Sequence, residues 1–205
     1  SEDHTAILCS TAGTLGLYQY CPTRVIGQIP LPQDLVFVVG SSGVVAQKTG
    51  AAQELYNRAS LRVRALVTAW QQQTQTPATY LADITSQGPT AIESLRKAIA
   101  GGHDGFDAEE LTLRLDHFLA EEELLKQAAD ALARKDVESF GRDVDRSQEL
   151  TDTMLGNQVP ETRDLARLAR SQGALAASAF GAGFGGSVWA LTPRTEAQQL
   201  LQRWR

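Results

Sequence analysis

The spacing of apolar residues divides the chain into an early β-rich part, a helical middle and a short β-rich part near its end. Residues 35–39 are a continuous apolar run bounded by proline and glycine, and such a run predicts a strand buried on both faces. Residues 13–20 predict an earlier strand, while 178–180 and 187–191 predict a late pair.

From about residue 49 onward, apolar residues recur at steps of three and four, which is the period of an amphipathic helix. The first predicted helix ends before Pro77, and its inward stripe consists of Leu55, Ala59, Val63, Leu66, Val67 and Trp70. A second long helix begins at a capping box formed by Asp107 and Glu110. Its inward positions are Leu111, Leu115, Phe118, Leu125 and Leu132.

Shorter helices are predicted from their start signals. Thr90 follows Pro89 and begins a capping box, Asp136 and Pro160 each begin a helix, and a last amphipathic helix follows Pro193. Helices placed between early strands and a late strand pair predict an α+β fold, in which one antiparallel sheet carries helices on one face.

The late strand pair encloses four glycines, Gly181, Gly183, Gly185 and Gly186. Glycines cluster in this way where the backbone needs positive φ angles or lies against a neighbour that leaves no room for a Cβ atom. Successive amides in such a loop can converge on an anion, so a phosphate is a natural ligand. A glycine-bulged hairpin without a ligand is the alternative. The spacing fits neither a P-loop nor the dinucleotide-binding fingerprint.

Composition excludes several classes of function. The 205 residues carry a net charge of -5, and their 19 basic residues are interleaved with 24 acidic ones, so no nucleic-acid footprint is expected. No apolar stretch is long enough to predict a membrane span, and no signal peptide is recognised. Cys9 and Cys21 fit a reducing compartment, which predicts a cytoplasmic protein. The histidines lack partners at metal-ligand spacing, so no metal site is expected.

Six segments carry recognisable patterns, in this order: Glu2-Asp3-His4, Tyr56-Asn57-Arg58, Arg114-Leu-Asp-His117-Phe-Leu-Ala-Glu121, Phe140-Gly-Arg-Asp-Val-Asp-Arg-Ser147, Val159-Pro-Glu-Thr-Arg-Asp-Leu-Ala and Gly181-Ala-Gly-Phe-Gly-Gly186. Together they resemble the motifs of the galactokinase branch of the GHMP small-molecule kinases, and they occur in the family's order. The sequence departs from those motifs at Gln148, where a histidine is usual, and at Phe180, where a threonine is frequent.

The resemblance implies a division of the chain. Residues 1–40 would be the remnant of an N-terminal α/β kinase domain, and residues 41–205 would be most of a ferredoxin-like α+β C-terminal domain. Because the family's nucleotide loop would lie upstream of Ser1, the chain is expected to be a fragment without kinase activity of its own.

The resemblance also implies a reaction: transfer of a phosphoryl group from ATP, with Mg²⁺, to a sugar hydroxyl, the anomeric C1 hydroxyl in the galactokinase branch. Asp3 would be the catalytic carboxylate, although a helix N-cap is the alternative role for it. Tyr56 would contact the sugar, and Gly181, Gly183, Gly185 and Gly186 would shape the substrate pocket.

Two other functions remain open at this stage. One is another GHMP kinase of the mevalonate or homoserine type, and the other is a non-catalytic galactokinase-like protein that senses sugar. The expected partners in every case are a small-molecule substrate and ATP, with neither nucleic acid nor membrane, and no pattern predicts an oligomeric state.

Overall fold

The computed structural model describes residues 2–20, 23–46 and 51–204, without the side chains of residues 2, 3, 51–53 and 56. Helix α1 (Glu2–Cys9) precedes strands β1 (Thr14–Tyr20), β2 (Thr23–Pro30) and β3 (Leu35–Ser41). The helical middle contains α2 (Ala51–Thr74), α3 (Leu81–Thr85), α4 (Pro89–Ile99), α5 (Ala108–Ala133) and α6 (Val137–Leu150), which runs into a π-helical turn (Thr151–Leu155). Then follow α7 (Pro160–Ser171), β4 (Ala176–Ala179), β5 (Ser187–Pro193) and α8 (Ala197–Arg203).

The strands form two antiparallel sheets. β1 and β2 pair as a hairpin, whose register shifts between Leu17 and Tyr18. The second sheet has the order β3-β5-β4, and β3 pairs with β5 from Leu35 opposite Pro193 to Ser41 opposite Ser187. The α+β class is confirmed. A full ferredoxin-like sheet has four strands, of which the described residues supply three in this sheet.

The pairing of β3 bears on the expected division of the chain. A boundary at residue 40 falls inside β3, which belongs to the same sheet as the C-terminal β4 and β5. The β1–β2 hairpin forms a separate sheet. The division into residues 1–40 and 41–205 therefore stays a prediction, and strand pairing links its two parts.

Helices cover both faces of the second sheet, so the prediction that they pack on one face is wrong. Val188 and Ala190 of β5 pack with α7 and α8, whereas Trp189 and Leu191 face the cluster formed by α5 and α6. The physical reason is that successive residues of a strand point to opposite faces, and β5 is apolar at consecutive positions.

A second core lies among α2, α3, α4 and α5. Its fully buried side chains include Leu66, Ile84, Leu95, Ile99, Leu111 and Leu115. Several predicted inward positions are wrong, because Leu55 is 53% exposed, Leu125 is 59% exposed, and Val39 at the far end of β3 is 54% exposed. A long helix or strand is covered by neighbours over only part of its length, so periodicity continues beyond the region that is buried.

Helix starts match the predictions at two of three capping signals. Asp107 and Asp136 accept hydrogen bonds from the backbone N–H groups of Glu110 (2.8 Å) and Ser139 (3.0 Å). The capping box at Thr90 is wrong, because Gly88 is the N-cap and Pro89 already occupies the first turn of α4. Within the described ranges, no helix combines the length and hydropathy needed to cross a bilayer.

The Glu110 side chain holds the start of α2 against α5. It accepts hydrogen bonds from Arg58 and, at 2.6 Å, from Arg62, both on α2. These two bonds, with the charges of the same arginines, lower the pKa of Glu110 to about 2. The same helix carries Tyr56, the predicted sugar contact.

We predict that Leu115→Ala lowers the free energy of unfolding by about 3 kcal/mol, because it opens a cavity in a close-packed core. Leu115 is fully buried, whereas Leu125 on the same helix is 59% exposed. Leu125→Ala is therefore the matched control and should change stability by less than about 0.5 kcal/mol. Denaturant unfolding of both variants measures the difference, and equal losses would contradict the assignment of this core.

A second prediction concerns pH. The carboxylate of Glu110 is stabilised in the folded state, so its contribution is present above the usual glutamate pKa of about 4.3 and is lost as the pH falls toward about 2. Glu110→Gln should therefore lower stability at neutral pH by up to about 1 kcal/mol, and the deficit should shrink in acid. Glu109→Gln removes the same charge from an exposed neighbour and serves as the control. A deficit that does not depend on pH would contradict the ion-pair explanation.

Candidate functional site

A cleft of about 1040 Å³, here called the central cleft, opens between the helical core and the end of the second sheet. One wall is α2, which presents Ser60, Arg64 and Thr68 together with Val63 and Val67. This face follows the helical period of three to four residues. Apolar and hydrogen-bonding groups therefore alternate along the wall, as in small-molecule binding sites.

Tyr56 belongs to the same helix and precedes Ser60 by one turn. Residues four apart on a helix share a face, so the backbone places Tyr56 in line with Ser60 and Arg64. The side chain of Tyr56 lies outside the described residues, and its contact with a sugar stays a prediction.

The other walls come from distant parts of the chain. Residues 78–83, around the start of α3, close one side, and Arg114 and Phe118 of α5 form another. The glycine loop, residues 181–186, contributes Gly181, Ala182 and Phe184. Two of the segments that carry the family resemblance therefore line the cleft, and α2, the helix that carries a third, forms one of its walls.

The glycine loop has the backbone geometry expected from its sequence. Its four glycines have φ angles of 62° at Gly181, 81° at Gly183, 117° at Gly185 and 89° at Gly186, all in the region that favours glycine. Phe184 between them also has a positive φ of 60°. A non-glycine residue in this region is uncommon, so neighbouring groups must hold the loop in place.

Asn157 holds the loop from one side. It is buried, its carbonyl oxygen accepts a hydrogen bond of 2.6 Å from the Phe184 N–H, and its Nδ2 donates one of 3.1 Å to the Ala182 carbonyl. A Cβ atom at Gly183 would collide with the Asn157 carbonyl oxygen, so only glycine allows this approach. The π-helical turn and the left-handed Gly156 place Asn157 here.

The segment after β3 holds the loop from the other side. The N–H of Gly186 donates to the Val44 carbonyl at 2.8 Å, and Ser42 donates to the Gly186 carbonyl through both its N–H (2.9 Å) and its Oγ (2.6 Å). A Cβ at Gly185 would lie 2.8 Å from the Val44 carbonyl oxygen. Gly183, Gly185 and Gly186 thus pack against the protein, and of the four glycines Gly181 lines the cleft.

Arg114 lines the cleft next to a buried histidine. Its Nη1 lies 3.1 Å from Nδ1 of His117, whose pKa is lowered to about 4 by burial and by the charge of Arg114. His117 is therefore neutral at pH 7, and its Nδ1 accepts the hydrogen bond from the guanidinium. His117 is only 5% exposed and belongs to the interior of the protein.

A polar network continues from α5 to the strand before the glycine loop. Burial raises the pKa of Glu121, although Ser147 donates a hydrogen bond of 3.0 Å to its carboxylate. The Oε1 of Gln148 accepts hydrogen bonds from Ser178 Oγ and Ala179 N–H, both at 2.9 Å. Gln148, where the family usually has histidine, therefore ties α6 to β4.

Asp3, the predicted catalytic residue, lies in α1, and its side chain is outside the described residues. Its role stays a prediction. Among those that are described, His, Cys, Asp and Glu side chains form no group of three suited to hold a metal ion.

Sequence reasoning missed Asn157 and Arg64 as parts of the site. Asn157 follows the glycine at which a helix ends, and Arg64 lies beside the apolar stripe of α2, on its polar side. Asparagine after a left-handed glycine is a signal for a backbone-binding side chain, but its partner 25 residues later is visible only in the fold.

Residues 128–205 match the sequence model of the family described as "GHMP kinases C terminal". The search of curated proteins gave no match.

Two solved structures share the fold. The galactokinase of Lactococcus lactis, complexed with galactose, is 21% identical, with a TM-score of 0.73 over 94% of this chain and 46% of that one. The mevalonate kinase of L. major, in complex with R-mevalonate, is 17% identical, with a TM-score of 0.54 over 98% of this chain and 46% of that one. The chain thus spans about half the length of either kinase.

At these sequence identities the structural matches establish the fold alone. The family match covers the C-terminal part of the chain, which contains α6, α7, β4, the glycine loop and β5. Residues 128–205 are therefore similar to the C-terminal domain of GHMP kinases, and the chain shares its fold with a galactokinase.

Proposed function

We propose that this chain is part of an ATP-dependent sugar kinase that phosphorylates the anomeric C1 hydroxyl of its substrate. The observation that carries the proposal is the central cleft, which joins the helix of Tyr56 to the glycine loop in a GHMP kinase. The galactokinase with the same fold is complexed with galactose, which supports a sugar as the acceptor.

In this proposal Asp3 faces the acceptor hydroxyl and orients it or takes its proton as the phosphoryl group is transferred. Phosphoryl transfer depends mainly on positioning and on neutralising charge, and one carboxylate at the nucleophile is enough for the proton. Tyr56 supplies a rigid ring with a polar end to the sugar.

The glycine loop positions the substrate in this proposal by its shape. Its backbone is held by Asn157 and Val44, so Gly181 and Ala182 present main-chain atoms to the cleft without the bulk of large side chains. A loop that is already fixed avoids reorganisation when the transition state forms, which is the general advantage of preorganised sites.

ATP is the proposed phosphoryl donor, and GHMP kinases typically use it with Mg²⁺. The described residues do not fit a metal site of their own, since no group of three potential ligands is present among them. We therefore assign no residue of this chain to the ion. We also infer a cytoplasmic location, where ATP is available.

A mevalonate-type kinase is the second candidate, because the mevalonate kinase also shares the fold, at a TM-score of 0.54. The identity of the phosphoryl acceptor distinguishes a sugar kinase from a mevalonate-type kinase. We expect the complete protein to consume ATP with galactose or a related sugar and not with mevalonate or homoserine. Saturable sugar binding without ATP consumption would contradict the kinase and establish a sugar sensor.

Asp3→Asn in the complete protein should lower kcat by about 10²- to 10⁴-fold, because it removes the charge while keeping the size of the side chain. Asp34→Asn, in the turn before β3, is the control for loss of one aspartate charge and should leave kcat unchanged. Steady-state kinetics with the accepted sugar measures both. A fully active Asp3→Asn variant would show that Asp3 is a structural residue.

A comparison of Gly183→Ala with Gly181→Ala distinguishes the effect of backbone strain from the effect of a steric collision. Both positions have positive φ, so each alanine costs about 1–2 kcal/mol of strain, but a Cβ collides with Asn157 only at Gly183 and meets open space at Gly181. We expect Gly183→Ala to lower kcat/KM at least about tenfold more than Gly181→Ala, since a small displacement of a positioning group is costly. Equal effects would show that the contact with Asn157 does not shape the site.

A further inference from the structure

The charges that line the central cleft do not balance. Its ionisable acids and strong bases are Asp83, Arg64 and Arg114. The Oδ2 of Asp83 accepts hydrogen bonds from the backbone N–H groups of Thr79 (2.8 Å) and Tyr80 (2.9 Å), so this carboxylate is bound to the start of α3. The two guanidinium groups therefore give the cleft a net positive charge.

Arg114 differs from the other arginines near it. Arg58 and Arg62 bind Glu110, and Arg96 binds Asp116. Within the described ranges the ion pairs number ten, and none of them includes Arg114 or Arg64.

The hydrogen-bonding capacity of Arg114 is also largely unused. Its Nη1 bonds to the neutral His117, and its Nε is buried with no hydrogen-bond partner among the described residues. A buried polar group without a partner is costly, and a guanidinium carries five N–H donors in a planar fork that matches a carboxylate or phosphate.

The Glu121 carboxylate on the same helix attracts Arg114 electrostatically but forms no ion pair with it. The buried Nε atom, the missing ion pair and the position of Arg114 on the cleft wall have one common explanation. We propose that Arg114 binds an anionic group, a carboxylate or a phosphate, of the ligand that occupies the central cleft. Arg64 on α2 adds attraction for the same anion. His117 positions the Arg114 guanidinium, because its neutral Nδ1 accepts a hydrogen bond from Nη1 without competing for the charge.

The proposal rests on the proposed function and extends it to the class of substrate. Arg64 lies two turns after Tyr56 on α2, so the charged part of the cleft adjoins the predicted sugar contact. An acidic group on the acceptor, as in a sugar acid, is therefore one source of the anion. The phosphates of the nucleotide are the other source, and both present oxygen atoms that a guanidinium binds in the same way.

A matched pair of sugars tests the proposal by binding. Galactose and galacturonate differ only in a hydroxymethyl group and a carboxylate at the same carbon. Their affinities are measured by isothermal titration calorimetry for the complete protein, Arg114→Gln and Arg114→Lys, with ATP and adenosine as a second matched pair. Arg142→Gln removes an arginine on the exposed face of α6, where it pairs with Glu138, and is the control.

The wild-type protein should bind one of the anionic ligands more tightly than its neutral partner, with an advantage that falls as salt rises. Arg114→Gln should reduce that affinity by about tenfold or more, since a charge-assisted hydrogen bond is lost, and should leave the neutral ligand unchanged. Arg114→Lys should restore part of the affinity by keeping the charge. If Arg114→Gln loses affinity for galacturonate, the anion belongs to the acceptor. If it loses affinity for ATP, the anion belongs to the nucleotide.

Equal weakening of the neutral and anionic ligands by Arg114→Gln would overturn the proposal, because it would indicate structural damage. An unchanged affinity for both anionic ligands would overturn it as well. These affinities are measured without phosphoryl transfer, so they do not depend on the proposed kinase activity. An inactive protein whose anion binding depends on Arg114 would refute the proposed kinase activity and leave this inference intact.

Discussion

The hydrogen bonds between Asn157 and the glycine loop are the interaction on which the rest of the site depends. Five of the six loop residues 181–186 have positive φ, all except Ala182, and the four glycines among them have no side chains that could bind to neighbouring groups. The hydrogen bonds from Asn157, Val44 and Ser42 offset part of the entropy cost of fixing this flexible segment. Without them the loop would have no defined shape to offer a ligand.

The same contacts join parts of the chain that are far apart in sequence. Ser42 follows β3, Asn157 follows the π-helical turn, and the loop joins β4 to β5. Gln148 adds a further link, because it binds the end of β4 from α6. The cleft therefore lies where both sheet and helical core constrain the backbone, which is where precise sites are most readily built.

The polar interior near the cleft lowers stability in this part of the fold. The Nε of Arg114, the Nε2 of His117, the Oε1 of Glu121 and the Nε2 of Gln148 are all buried without partners among the described residues. Buried polar atoms without partners do not stabilise a fold, so their presence on neighbouring helices calls for a role other than stability. The binding of an anion by Arg114 is the role that the cleft offers.

Sequence patterns predicted most of the fold and part of the site. Continuous apolar runs and capping residues located β3, β5, α5 and α6, because these signals are local. The exposure of Leu125 and the helices on both faces of the sheet were missed, since burial depends on neighbours that are distant in sequence. The positive φ angles of the glycine loop were predicted, whereas its attachment to Asn157 depends on a tertiary contact.

The environment of Arg114 is another feature that sequence patterns could not predict. Its place in the Arg-x-x-His-x-x-x-Glu segment was recognised, but the absence of an ion pair becomes visible only when the surrounding helices are in place. An arginine in a helix that contains several acidic residues is normally expected to form an ion pair with one of them. The structure instead leaves it facing the cleft.

The most direct test of the account is a crystal structure of the complete protein with the accepted sugar and a non-hydrolysable ATP analogue. The account predicts the sugar in the central cleft, against α2 and the glycine loop, with its C1 hydroxyl toward the Asp3 carboxylate. A sugar bound elsewhere, in contact with neither Tyr56 nor the glycine loop, would contradict it.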